Sequence, residues 1–373
     1  SLGYSGRDCH WNAQRFQRPG CCDLAKDKKR DMRIIYGVQA TGNGHISRSR
    51  EVIRELKDLG HEVQVLFSGR RPAMQSELKE FEPYRRFKGL TFCTHRGQLK
   101  YFKTAMRLNI LQVYRDIASF DDFSYDLVIT DFEPISARIA RRKSLPSIGV
   151  GHQYAFIHDV PLSGSNPITR FVMKNFAPVD HPVGLHWHHF NQPILPPIVP
   201  HNIGNSYQTI ANKILVYLPF EHIKDFLSLF RRFRRHEFFI YHSLSKAEDH
   251  GHIHLRPYSR NGFLKDLIEC NGVISNAGFE LASEAFHLGK RILVKPLAGQ
   301  MEQISNALAI TSLNLGMAMT QLNVVSVGQF LERPAGTPIK FPNVARMVAE
   351  WIESGNWEDV EGLARSAWDS IKF

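Results

Sequence analysis

The chain contains no run of eighteen or more apolar residues, so no stretch of it reads as a membrane-spanning helix. The first thirty residues lack the apolar block that a secretory signal needs, and none is expected there. Cysteine is scarce: five in 373 residues, with Cys9, Cys21 and Cys22 all in the opening stretch. Cys93 and Cys270 stand near expected strands and read as buried thiols. Without a disulfide framework the default compartment is the cytosol. Cys9, His10, Cys21 and Cys22 fit no standard zinc spacing, so no metal is expected to bind there.

What is present is ordinary for a globular protein, with 43% hydrophobic and 22% charged residues. The net charge of +11 favours anionic partners: nucleotides, anionic lipids, acidic glycans or nucleic acid. Residues 1–31 hold seven Lys and Arg against four Asp and Glu, so the remainder still carries +8. No nucleic-acid recognition motif accompanies the charge, and nucleic acid is not an expected partner. Residues 1–31 are polar, aperiodic and poor in aliphatics, which reads as a disordered extension.

Beyond residue 31, strand and helix patterns alternate. Apolar runs at 33–39, 61–67, 89–94, 125–130 and 146–151 read as strands, with helical patterns at 47–59 and 100–117. Residues 180–200 are rich in His, Pro and Trp without a period and read as a stiff connector. The alternation then resumes, with strands at 213–218, 237–241, 252–255, 272–275 and 291–295 and helices at 221–232, 280–288, 344–354 and 357–372. Such alternation implies parallel sheets covered by helices on both faces. The expected fold is α/β: two Rossmann-like, doubly wound domains, 32–195 and 196–373, facing each other across a cleft. The last helix is expected to cross back to the first domain.

The most informative segment is 272–310. Its first strand runs into the turn Asn276-Ala277-Gly278-Phe279, a helix carries Glu284, and Gly289 precedes the next strand. Pro296-Leu297 ends that strand, and Gln300 and Glu302-Gln303 lie just before Asn306-Ala307. In an open α/β sheet, ligands bind beyond the carboxyl ends of the strands, where both loops lie. A glycine turn before a helix offers free N–H groups and a positive dipole end to an anion. A carboxylate one to two turns into the helix can accept from a vicinal diol, or it is simply a solvated helix residue.

This segment resembles the donor-binding region of GT-B glycosyltransferases of the UDP-glycosyltransferase class. That class includes the enzyme that adds N-acetylglucosamine to the lipid-linked peptidoglycan precursor. The resemblance implies that the turn Asn276-Ala277-Gly278-Phe279 and the following helix take the donor diphosphate. It implies that Glu284 takes the ribose hydroxyls, and that Gln300, Glu302 and Gln303 take the donor sugar. Many members carry His where this chain has Asn276, which can donate a hydrogen bond but brings no charge. No Asp-x-Asp stands at a strand end, which argues against the metal-dependent type of glycosyl transfer. Neither a metal nor a cofactor is expected.

The first strand leads into Gly42-Asn43-Gly44-His45. There is no third glycine, and no acidic residue ends the second strand, so a dinucleotide fingerprint is not made out. In the resembling enzymes a Gly-x-Gly-His loop occupies this place, with Gly44 near the donor and the His as base toward the acceptor hydroxyl. The resemblance thus makes His45 the base. Asp131, at the end of the strand in LVITDFEP, would orient its ring. Alternatives stay open: His45 as a plain hydrogen-bond donor, Asp131 as a turn cap, and Glu133 as a substitute in either role. His152 and Gln153 follow the next strand and are candidates for acceptor binding. His181, His186, His188 and His189 read as a His-rich cleft wall.

The expected activity is hexosyl transfer from a nucleotide sugar to a hydroxyl acceptor, inverting and metal-independent, in cell-envelope or glycan biosynthesis. The acceptor is unreadable; a lipid-linked, polymeric or small one all fit. The basic, apolar stretch 100–115 reads as an amphipathic helix packed on the sheet, with peripheral contact at the inner membrane face as its other use. Two other functions compete: a sugar-nucleotide 2-epimerase, and a non-catalytic nucleotide-sugar-binding protein.

Overall fold

The computed structural model describes residues 31–40, 42–69, 78–87, 94–95, 98–99, 115–120, 124–165, 167–200, 203 and 208–371. The expected extension (apart from Asp31) and the basic stretch 100–115 (apart from Arg115) lie outside the described residues. From Asp31 onward the chain is one compact unit.

The first strand, β1 (Arg33–Gln39), reads RIIYGVQ and is buried from Ile34 to Gln39. A strand with helices on both faces must be apolar on both, which this run satisfies. It pairs in parallel with β2 (Glu62–Ser68) on one side and with β4 (Leu127–Asp131) on the other, so Gly37 lies opposite Leu66 and Thr130. With β3 (Tyr84–Phe87), β5 (Ser147–Gly151), β6 (His181–Leu185) and β7 (Ile194–Leu195), the order is β3-β2-β1-β4-β5-β6-β7, parallel throughout. Gly37 is required by packing. A Cβ there would lie 2.0 Å from Ser136 Oγ on α2 (Pro134–Lys143).

The second sheet repeats the plan. Its strands are β8 (Lys213–Tyr217), β9 (Glu237–Tyr241), β10 (Glu248–His250), β11 (Ile253–Arg256), β12 (Gly272–Asn276), β13 (Arg291–Lys295) and β14 (Met317–Ala318). They run β10-β11-β9-β8-β12-β13-β14, and only the edge strand β10 is antiparallel. Phe226, Phe230 and Phe330 are fully buried against it, together with Phe238 of β9. Each such side chain contributes about 1.5–3 kcal/mol. Winding therefore reverses direction at one place in each sheet, between β1 and β4 and between β8 and β12. A doubly wound sheet opens a crevice at that point.

Two differences from the sequence reading have physical causes. Helix α1 (Asn43–Asp58) starts four residues before the expected 47, with Gly42 as an extended N-cap. Glycine costs a helix about 1 kcal/mol, which makes Gly-Asn-Gly read as loop. The burial of α1 between β1 and β2 on one side and helices of the second lobe on the other outweighs that. Residues 180–200 are not a connector throughout, because β6 and β7 lie within them. Pro182 hides β6 from a sequence reading; it lies opposite Gly149, near the start of a strand, where a missing N–H is tolerated.

Helix α1 buries Val52, Ile53 and Leu56, and it also buries Arg48, Glu51 and Glu55. Glu55 accepts from Asn343 Nδ2 at 3.1 Å, at the start of α10 (Val344–Ser354), and lies 3.6 Å from Arg346. Burial opposes its charge, but Asn343, Arg54 and Arg346 together hold its carboxyl below the ordinary value. At the far end, Trp368 of α11 (Val360–Asp369) donates from Nε1 to Ile194 O of β7 at 2.6 Å. No helix among the described residues is long and apolar enough to cross a membrane.

Candidate active site

Strand β4 ends on Asp131, and the chain then turns sharply, with Phe132 at φ 50°. A left-handed non-glycine residue costs roughly 1–2 kcal/mol. Phe132 is held there by stacking on Phe176 at 5.2 Å and edge contact with Tyr154 at 5.5 Å. The turn leaves Asp131 wholly buried and facing α1. His45 Nδ1 lies 2.9 Å from Asp131 Oδ1. Arg48 donates to both carboxylate oxygens, from Nε at 3.1 Å and from Nη2 at 2.5 Å, and Ser49 Oγ donates at 3.0 Å. Burial alone would raise the Asp131 carboxyl, but the Arg48 guanidinium and the bonds from His45 and Arg48 outweigh it and hold the group below its usual value. Arg48 Nη2, a donor only, also lies 3.3 Å from His45 Nδ1; with the ring proton on Nδ1 the imidazole donates to the carboxylate, an acceptor only, and Nε2 keeps its lone pair.

The neighbouring Glu133 is spent on structure. Its carboxylate accepts from Ile135 N at 2.8 Å and Ser136 N at 2.6 Å, capping α2. Burial pushes its pKa up against those bonds. Of the two acids in LVITDFEP, then, Glu133 is the cap and Asp131 meets the histidine.

In the second sheet, β12 ends on Asn276. Its Nδ2 donates to Lys295 O at 2.9 Å, and its buried Oδ1 has no partner among the described residues. Ala277 O accepts from Asn306 Nδ2 at 3.0 Å. Gly278 caps α7 (Phe279–His287) at φ −76°, ψ 146°, and a Cβ there would meet nothing within 4 Å. Neither strain nor crowding requires glycine at 278, and the space before the first turn of α7 is open. Glu284, on the same helix, is pushed up to about 7 by burial, with Glu51 adding to the rise against Arg260 and Arg50.

The loop after β13 leads into α8 (Met301–Ser312), with Gln300 as N-cap and its Oε1 unpartnered among the described residues. Gln303 Oε1 accepts from Leu297 N at 2.8 Å and fixes that loop. Glu302 accepts from Gln153 Nε2 of α3 (His152–Ala155) at 3.1 Å, a bond between the two lobes. His152 is fully buried, with Nδ1 2.8 Å from Leu185 O and Nε2 2.7 Å from Asn306 Oδ1. Its ring stacks on Phe279 at 3.9 Å, and burial depresses its pKa. His186 is buried beside it, accepts at Nδ1 from Trp187 N at 2.8 Å, and is held well below the usual imidazole value by burial and by His152 and His188.

The sequence reading named neither Arg48 nor Glu280 as a site residue. Arg48 Nη1 forms an ion pair with Glu280 Oε1 in the first turn of α7, joining the two lobes. Gly44 lies directly against that carboxylate: a Cβ at Gly44 would be 2.5 Å from Glu280 Oε2. A helix beginning at Asn43 places Arg48 one turn beyond His45 on the same face. With the helix started at 47, that relation was invisible.

The family described as glycosyl transferase family 1 matches residues 32–334. No curated protein matches the chain. Among solved structures, the glycosyltransferase of kitacinnamycin is similar at TM-score 0.56 and 12% identity, covering 91% of this chain and 98% of its own. CalG4, the calicheamicin glycosyltransferase, gives 0.53 and 15%, with 91% and 97% covered. The Streptomyces sp. SF2575 glycosyltransferase SsfS6, complexed with thymidine diphosphate, gives 0.53 and 12%, with 90% and 96% covered. Those likenesses show the two-domain GT-B fold.

Proposed function

The chain belongs to glycosyl transferase family 1, and from that premise we propose that it moves a hexose or N-acetylhexosamine from a nucleoside-diphosphate sugar to a hydroxyl acceptor, with inversion and without a metal. The observation that carries this reading is the 2.9 Å pair of His45 and Asp131 at the crevice of the first sheet. His45 Nε2 takes the acceptor proton as the acceptor oxygen bonds to the anomeric carbon. The bond from that carbon to the diphosphate breaks on the opposite face. Asp131 stabilises the imidazolium that forms.

The N–H groups of the Gly278 turn and the first turn of α7 receive the departing diphosphate, with Asn276 and Ala277 shaping that turn and Phe279 closing it. Gly44 borders the same space. Glu284 takes the ribose, and Gln300, Glu302 and Gln303 the sugar. Uridine is the favoured nucleoside, and thymidine, present as its diphosphate in a structural neighbour, is the other. Gln153, bonded to Glu302 across the lobes, meets the acceptor, and His152, fully buried and stacked on Phe279, forms the wall behind it. A lipid-linked acceptor would bring the protein to the cytoplasmic face of the membrane as a peripheral enzyme of envelope or glycan assembly.

The decisive variant is His45→Ala. Sugar transfer falls about 10²–10⁴-fold, the usual worth of a general base, while UDP or dTDP binding by calorimetry stays at the parent level. Unchanged turnover would remove His45 from the mechanism.

A further inference from the structure

The guanidinium of Arg48 is 1% exposed and has two working edges. The Nε and Nη2 edge holds Asp131, and Nη1 holds Glu280 from the other lobe. These partners differ in what surrounds them. Asp131 is fully buried and also bonded to His45 and Ser49, whereas the Glu280 side chain is 17% exposed. Its carboxylate lies in the first turn of α7, two residues beyond the open space at Gly278. Nearby on β12 and α3, Ser275 Oγ, Asn276 Oδ1 and Gln153 Oε1 are buried and unpartnered among the described residues.

A diphosphate entering that space would meet the Glu280 carboxylate, a like charge. Asn276 offers it no cation. The Lys295 ammonium, on the residue paired with Asn276 in the sheet, is held by Glu221 at 2.6 Å. Arg48 is a cation already lying against this turn. We propose that Glu280 is a stand-in for the donor's diphosphate and that the donor displaces it, so that Arg48 Nη1 passes from the carboxylate to a phosphate oxygen. The proposal rests on the nucleotide-sugar reading above.

The exchange leaves the other edge of Arg48 on Asp131, so the His45–Asp131 pair is undisturbed as the donor arrives. A planar guanidinium allows this because its donors point along fixed, separate directions. At Arg48 one anionic oxygen replaces another, and the second charge of the diphosphate is left to the N–H groups of the Gly278 turn. Glu280 swings toward solvent. In the resting protein the ion pair ties the two lobes; once the donor is bound, the phosphate takes over that tie. Arg48 is thereby both a positioning residue for Asp131 and a direct ligand of the leaving group.

Glu280→Gln tests this, with UDP, dTDP and uridine titrated calorimetrically into the intact protein and the variant. The nucleoside diphosphate that binds the parent should bind Glu280→Gln about tenfold tighter, with uridine affinity unchanged. A residue that merely holds the lobes together would not improve binding when removed. In the double variant Arg48→Lys, Glu280→Gln the gain should shrink, because an ammonium cannot hold Asp131 and a phosphate on two fixed edges. Equal or weaker diphosphate binding by Glu280→Gln, with parent-like melting, overturns the exchange and leaves the transferase reading standing. Failure of both diphosphates to bind parent and variant alike overturns both.

Discussion

The two crevices are built by the same strand order and furnished in opposite ways. Where β1 and β4 part, the space is filled by an ion pair and an imidazole: Arg48 and Asp131 with His45 in direct contact. Where β8 and β12 part, the turn offers backbone, a neutral amide at Asn276 and the open approach at Gly278. One side is suited to moving a proton, the other to receiving an anion. A shared topology thus supplies two equivalent openings, and the residues just beyond the strand ends decide which chemistry each can perform.

The largest test of that contrast is Asp131→Asn. It removes one of the two carboxylates that Arg48 holds and leaves Glu280 as the other, and breaking a buried pair costs about 3–5 kcal/mol. Urea unfolding should show a loss of that order; near-parent stability would mean that the first crevice does not depend on its charges. An intermediate effect is expected at Glu284. Its folded value of about 7 lies above the ordinary 4.5, so the native state keeps its proton to higher pH than the unfolded chain. Stability from this group is present below pH 4.5 and is lost as pH rises through 7. Glu284→Gln should therefore melt higher than the parent at pH 8 and like it at pH 4; the reverse order would place the carboxylate in a different environment. The smallest effect on folding is expected from Gly278→Ala. No atom opposes the added methyl, so unfolding should stay within about 0.5 kcal/mol of the parent, while affinity for UDP or dTDP falls several-fold. Unaltered nucleotide affinity would show that the open space at Gly278 is not where the diphosphate lies.

Much of this was legible beforehand. Apolar runs such as RIIYGVQ and RILVK announce two-faced parallel strands, and their alternation with helical patterns was enough for two doubly wound sheets. The turn at Gly278 and the acid at the end of LVITD were visible because strand ends are where such folds place ligands. What could not be read depended on distance in the chain. Arg48 reaches Glu280 across 232 residues of separation, and His152 reaches Asn306 across 154. Both are contacts between lobes, which no local pattern encodes. Strand β6 was missed for another reason: Pro182 and the neighbouring histidines mimic a linker, and its pairing with β5 is set by the sheet already in place.

The Trp368 bond to Ile194 has a consequence for how the protein is made. The two residues are 174 positions apart. At 5–20 residues per second, synthesis of the intervening chain takes on the order of ten to thirty-five seconds. During that interval the outer edge of β7 has no α11 to cover it, and an uncovered strand edge is open to pairing with another chain. The first lobe can gather its core early, but its last edge is sealed only when almost the whole polypeptide has emerged. Chaperone demand during translation should therefore outlast the folding of the inner strands of the first sheet.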